Sequence, residues 1–207
     1  MIHLWGFRLS VYVRIVRMAL AERGLEYDWT EVNPFEPSEP NPHPFGRVPV
    51  FDHDGMRLYE TSAITLYIDR AFPGPTWQPD DPVKEARVQQ VIDMINSYGY
   101  WPMVRQVFAK GAYPLAVGEP VETQEVSAGL AASRPLLAEL ETLAASGTVL
   151  SGPLTRADLH LAPMVDYFTA LPEAAAMLAE HPALATRFAE LQQRPSFTAT
   201  APGLPTG

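Results

Sequence analysis

The chain has 207 residues, 47% hydrophobic and 19% charged, enough for a sizeable core in one large domain or two small ones. Its net charge of −9, with no cluster of Lys and Arg, argues against a general nucleic-acid role and leaves room only for an anionic small ligand held by a few local basic groups. The lack of cysteine excludes a disulfide scaffold, a thiolate zinc site and a cysteine nucleophile, and fits a reducing compartment.

No apolar run reaches the roughly 18 residues of a membrane span, and Met1 to Phe7 lacks the basic start and long apolar stretch of a signal peptide. That segment alternates loosely and is expected to form the first strand. The five histidines are scattered, with no pair at i, i+4, which leaves a histidine metal site without support. A helix is expected from about Ser10, because Val13, Val16 and Leu20 recur at helical spacing and Gly24 offers a stop. Tyr27 to Val32, aromatic and β-branched, is expected as a second strand, giving a strand, helix, strand order that suggests a parallel crossover.

Residues 33–46 carry Pro34, Pro37, Pro40, Pro42 and Pro44 and read as a structured, irregular loop. Val48 to Asp52 and Met56 to Tyr59 then flank His53-Asp54-Gly55, a hairpin signal. A helix follows from about Ser62 to Ala71, ended by Phe72-Pro73-Gly74-Pro75. Residues 76–82, rich in Pro and Asp, read as a linker. Beyond them the pattern is helical, at about 83–110, 122–145, 156–170, 173–180 and 183–193. Segregation of an α/β part (1–75) from an all-α part (83–207) argues for two domains.

Pro49 stands at the head of a well-patterned strand, where a proline cannot donate to the ladder. On local sequence alone an ordinary trans proline at an edge-strand start is favoured, because only about 5–6% of X–Pro bonds are cis. The alternative, a cis Val48–Pro49 bond, would turn the Val48 main chain outward to pair with an extended peptide. The wider pattern shifts that balance. His43-Pro44-Phe45-Gly46-Arg47-Val48-Pro49-Val50-Phe51, followed eight residues later by Glu60-Thr61-Ser62-Ala63-Ile64, resembles the cytosolic glutathione transferases. Their signature reads roughly Asn-Pro-x-Gly-Lys-Val-Pro-x-Leu and then Glu-Ser-x-Ala-Ile. The resemblance covers nearly the whole chain.

It implies a two-domain α+β protein: a thioredoxin-like N-terminal domain with a mixed four-stranded sheet, then an all-α domain. Glutathione is the implied co-substrate, with no metal, and a small hydrophobic electrophile the second substrate. A cytoplasmic homodimer, with no nucleic-acid or membrane partner, is implied too. By the same resemblance Val48 pairs with the cysteinyl unit and Pro49 is the cis residue. Glu60 and Thr61 recognise the γ-glutamyl end, and Arg47 meets the glycyl carboxylate. Simpler roles stand beside these: Thr61 as an N-cap, Arg47 as a solvated surface charge.

Ser10 is the implied catalytic residue, a hydroxyl hydrogen-bonded to the thiolate. Its place six residues before Val16-Arg17-Met18-Ala19-Leu20 is similar to the serine-using tau and zeta classes. The simpler reading is that Ser10 only caps the helix. Val11 departs from the Pro or Ser common after that serine, and Tyr12 is a rival hydroxyl placed within the first helical turn.

In the helical half, Thr155-Arg156-Ala157-Asp158 is a capping box, also a hallmark of the family's second domain. Trp101 and Arg105, on a long helix that Pro102 is expected to kink, and Leu9, near the expected mouth, are the candidates for the second-substrate pocket. Conjugation, glutathione-dependent isomerisation and dehalogenation all fit the family. A non-catalytic ligand-binding or interaction module is the competing reading.

Overall fold

A computed structural model of the chain describes residues 1–36 and 40–203. Pro37 of the proline-rich loop and the final residues 204–207 lie outside the described residues. The chain divides into two compact units, Met1–Thr76 with Pro195–Pro202, and Trp77–Arg194.

In the first unit, β1 (Ile2–Gly6), α1 (Val11–Glu22), β2 (Asp28–Glu31), β3 (Val50–His53), β4 (Met56–Leu58) and α2 (Thr61–Ala71) follow one another. The sheet order is β2-β1-β3-β4, with β1 and β2 parallel and the other two pairs antiparallel. This is the mixed four-stranded sheet expected for a thioredoxin-like domain. Alternation on β1 buries Ile2, Leu4 and Gly6 and leaves His3 and Trp5 half-buried on the other face. Gly6 is required by close approach: a Cβ there would stand 2.7 Å from Val13 Cγ1 of α1. The β3–β4 turn is Asp54-Gly55, with φ of 48° and 85°, the two positive angles that a tight hairpin needs.

α1 is buried along most of its length, from Val11 to Leu20. It packs against α2 and against the C-terminal turn Pro195–Ala199, a helix that the sequence pattern did not reveal. Arg14 of α1, only 1% exposed, lies 4.6 Å over the Phe197 ring and donates from Nη2 to the Phe197 carbonyl at 3.3 Å. At the far end of the helix, Arg23 donates to the Asp69 carboxylate at 2.6 Å and to the Pro75 carbonyl at 2.7 Å. Residues 195–202, placed with the helical part by the sequence pattern, thus pack with the first unit.

The second unit begins with α3 (Pro82–Met94), whose N-cap Asp81 accepts from the Val83 and Lys84 N–H groups at 2.9 Å each. The chain continues as a wider helical segment, π1 (Ile95–Ala112), then α4 (Tyr113–Val117), α5 (Thr123–Ala145), α6 (Arg156–Thr169), α7 (Pro172–Ala179) and α8 (Pro182–Gln192). The wide turns begin at Ile95, and Pro102 lies within them. Proline lacks the N–H and its ring crowds the carbonyl four residues back, and a wide turn relieves both. α6 is the core element, with Leu159, Leu161, Met164, Val165 and Phe168 all at 0% exposure.

The box at the start of α6 is built around a carboxylate. Asp158 Oδ2 accepts from the Thr155 N–H and hydroxyl, both at 2.8 Å, while Oδ1 accepts from Arg187 Nε at 2.8 Å. Burial works against the charge on Arg187. The hydrogen bonds and charges of Asp158 and Glu190 outweigh that and raise its pKa. Among the described residues no helix is long and apolar enough to cross a membrane.

Candidate active site in the first unit

The register of the sheet places the expected site residues at one end of it. β1 runs toward that end and finishes at Gly6, four residues before Ser10. β3 starts there, its first pair being Val50 with Trp5, two residues after Val48. β4 returns to the same end, Leu58 opposite Phe51, two residues before Glu60.

Ser10 has extended backbone angles (φ −78°, ψ 121°) and is the N-cap of α1. Its N–H donates to the Phe7 carbonyl at 2.8 Å. Its hydroxyl oxygen accepts from the Val13 N–H at 3.4 Å, a long bond. A hydroxyl that accepts in this way still carries its own hydrogen to give to another acceptor, which makes capping and donation compatible in one side chain. Leu9 is half-buried just before it, and Tyr12 is half-buried in the first turn.

The Val48–Pro49 peptide bond is cis. Pro49 is buried and Val48 half-buried, and the main chain of Val48 lies ahead of the first β3 ladder pair. Glu60 is exposed and has φ 64° and ψ 116°. A non-glycine residue with positive φ is strained, and such strain concentrates where structure serves binding or catalysis. The carbonyl of Glu60 accepts from Ile64 N–H at 3.0 Å, which makes Glu60 the N-cap and Thr61 the first helical residue. The N-cap role considered for Thr61 therefore passes to its neighbour. The Glu60 side chain makes no capping bond, so the first amides of α2 have no capping side chain there, at the positive end of the helix dipole. Thr61 itself is 5% exposed.

The loop leading to Val48 is wound around His43. Asn41 Oδ1 accepts from the His43 N–H at 2.9 Å and Asn41 Nδ2 donates to the Arg47 carbonyl at 3.2 Å. His43 Nδ1 accepts from the Phe45 N–H at 3.1 Å, and the His43 carbonyl accepts from Gly46 N–H at 3.0 Å. The ring is tilted against Tyr59 at 4.8 Å. Burial holds the imidazole pKa below its usual value; the charge of Glu60 opposes that shift and the charge of Arg47 adds to it. His43 thus stands in the field of two expected ligand residues. The sequence reading gave it no role, although it sits four residues before Arg47 in the signature segment. Arg47 is exposed.

Of the three candidates for the second-substrate pocket, Leu9 belongs to the first unit. Trp101 (61% exposed) and the half-buried Arg105 belong to the second, both on π1. Among the described residues no group of three or more His, Asp or Glu could hold a metal ion.

Residues 4–76 match the family model described as glutathione S-transferase, N-terminal domain. A glutathione S-transferase of Pseudomonas putida is 32% identical over 178 residues, covering 83% of this chain and 76% of that protein. Glutathione S-transferase F13 of Arabidopsis thaliana is 28% identical over 210 residues, 97% of this chain and 95% of its own. The crystal structure of glutathione transferase F7 from Populus trichocarpa superposes with a TM-score of 0.82 at 23% identity, over 99% of both chains. The chain belongs to the glutathione S-transferase family of enzymes.

Proposed function

We propose that this protein activates the thiol of glutathione at the start of α1 and transfers the resulting thiolate to a hydrophobic electrophile. The observation that carries this reading is the convergence, at one end of the sheet, of the Ser10 cap, the cis Val48–Pro49 bend and the strained Glu60. Glutathione lies as an extended peptide along the Val48 main chain. Its α-carboxylate meets Thr61 and the first amides of α2, its amine meets Glu60, and its glycyl carboxylate meets Arg47.

Ser10 donates its hydroxyl hydrogen to the sulfur. A thiol of pKa about 8.5 is only a few per cent ionised at neutral pH, and lowering it by about two units needs about 2.7 kcal/mol. A hydrogen bond to a charged group contributes roughly 1.5–3 kcal/mol and a helix N-terminus roughly 0.3–2 kcal/mol. Together they suffice without a general base. The thiol proton leaves to solvent. The sulfur lone pair then forms the new carbon–sulfur bond as the leaving group departs with its electron pair. With an activated double bond it adds to the β-carbon, and the α-carbon takes a proton. Leu9 of the first unit, next to Ser10, is a proposed contact to the electrophile. Isomerisation, in which the thiol adds and is later expelled, and dehalogenation use the same thiolate.

The test is a titration with glutathione followed by thiolate absorbance in the ultraviolet, then conjugation of a chlorinated nitrobenzene. Ser10→Ala is expected to lose most turnover while glutathione affinity stays within about threefold, since the loss falls on the stabilised anion. A fully active Ser10→Ala enzyme moves the role to Tyr12 or to a backbone amide. Wild-type protein with neither binding nor turnover supports the interaction-module reading. A cytoplasmic homodimer is part of the proposal, supported by the family resemblance alone. Sedimentation as a monomer at micromolar concentration contradicts it.

A further inference from the structure

We propose that His43 is a positioning residue of the glutathione site: its neutral ring holds the Asn41–Arg47 turn that presents Arg47 and the Val48 main chain, and glutathione affinity falls when the ring takes up a proton. The proposal rests on the functional reading above and deepens it.

Four hydrogen bonds organise residues 41–47, and three of them involve His43: through its N–H to Asn41, through its carbonyl from Gly46, and through Nδ1 from the Phe45 N–H at 3.1 Å. The Nδ1 bond is of a particular kind. A short acceptor side chain that takes the N–H two residues ahead closes a turn, as Asn does in an Asx turn. The family's signature has Asn at this position. In this chain the imidazole Nδ1 performs the acceptor role that the Asn oxygen fills in such a turn. An Asn oxygen accepts at every pH of interest, whereas Nδ1 accepts only in the neutral ring and becomes a donor when protonated. A protonated His43 faces the Phe45 N–H donor to donor, and the turn loses that closing bond.

The charged and titratable groups that face the ring come from three places. Arg47 lies on its own loop, Tyr59 packs its ring tilted against it from just after β4, and Glu60 stands at the start of α2. Burial, the largest influence, and Arg47 disfavour the proton, and Glu60 favours it, with a net depression below 6.5. The neutral, turn-closing ring therefore persists through neutral pH and is lost as the solution becomes acid. Because Arg47 and Val48 follow the turn directly, its opening moves two groups that meet the ligand.

The test uses S-methylglutathione, which has no thiol proton, titrated calorimetrically at about pH 7.5 and pH 5. Its carboxylates, with pKa values no higher than about 3.7, stay ionised in that window. Wild-type affinity is expected to fall toward pH 5 as the ring takes up its proton. His43→Asn keeps the acceptor and removes the titration; it is expected to bind within about twofold of wild type at pH 7.5, with the extra acid loss gone. His43→Ala, which lacks the acceptor, is expected to bind more weakly at both pH values. Equal pH slopes for wild type and His43→Asn overturn the proposal. So does tighter wild-type binding in acid, which would make the ring a cationic contact for the ligand. If wild type does not bind the probe at pH 7.5, the glutathione reading fails and this one with it. The Asn variant carries the test if the Ala variant does not fold.

Discussion

Replacing Asp158 by Ala removes the carboxylate on which the start of α6 and the end of the second unit converge. The side chain is fully buried and accepts three hydrogen bonds, from the Thr155 N–H and hydroxyl and from Arg187 Nε, each at 2.8 Å. An isolated helix cap is worth about 1 kcal/mol, and that is all the sequence motif leads one to expect. Arg187 changes the magnitude. Its side chain is 7% exposed, and its remaining partners are the Gly152 and Pro153 carbonyls and the Glu190 carboxylate, which is itself 59% exposed. Removing one member of a buried pair leaves the other charge poorly compensated, here by an exposed carboxylate and two carbonyls, at a cost of up to about 3–5 kcal/mol, a large part of the roughly 5–15 kcal/mol margin of a folded protein.

Urea unfolding followed by circular dichroism is expected to place Asp158→Ala up to about 3–5 kcal/mol below wild type. Thr155→Ala, which spares the ion pair, is expected about 1 kcal/mol below. Adding Arg187→Met to Asp158→Ala is expected to restore part of the loss, with a coupling of about 0.5–3 kcal/mol. Turnover per folded molecule is expected to be unchanged. If Asp158→Ala unfolds no more easily than Thr155→Ala, the ion pair contributes nothing and the reasoning fails.

Acid sensitivity should trace to His160. It is fully buried, and burial, followed by the charge of Arg156, lowers its pKa to about 3. The unfolded chain binds this proton near pH 6.5 and the folded chain does not, so stability is complete above that pH and falls below it. Between pH 7 and 5 the loss is about 2 kcal/mol, measured by urea midpoints, and His160→Gln is expected to flatten the profile. His43, whose pKa is also lowered, contributes with the same sign. Gly6→Ala is expected to cost about 1–3 kcal/mol, because the new methyl group meets both Val13 Cγ atoms at 2.7 and 2.9 Å. A thermal midpoint equal to wild type would show that α1 can shift away from β1 at no cost.

Much of this protein is legible without coordinates. Strands, helices and turns follow from periodicity, capping residues and Asp54-Gly55, all of which act within a few positions along the chain. Ser10 as a helix cap and Thr155 with Asp158 as a box belong to the same local kind. The cis bond before Pro49 is different: local sequence favours trans, and only the family pattern pointed the other way.

Tertiary structure alone decided the rest. Arg187 meets Asp158 across 29 positions and Arg14 meets Phe197 across 183, separations at which no periodicity in the chain signals a partner. The positive φ of Glu60, and its taking of the cap position from Thr61, are not signalled by residue type. His43 looks in sequence like one residue of a proline-rich loop. Its burial against Tyr59, between the charges of Arg47 and Glu60, exists only once the sheet has brought those segments to one end. Short-range hydrogen bonding and apolar spacing are encoded where they act, whereas burial and charge pairing depend on what the fold places next to each group.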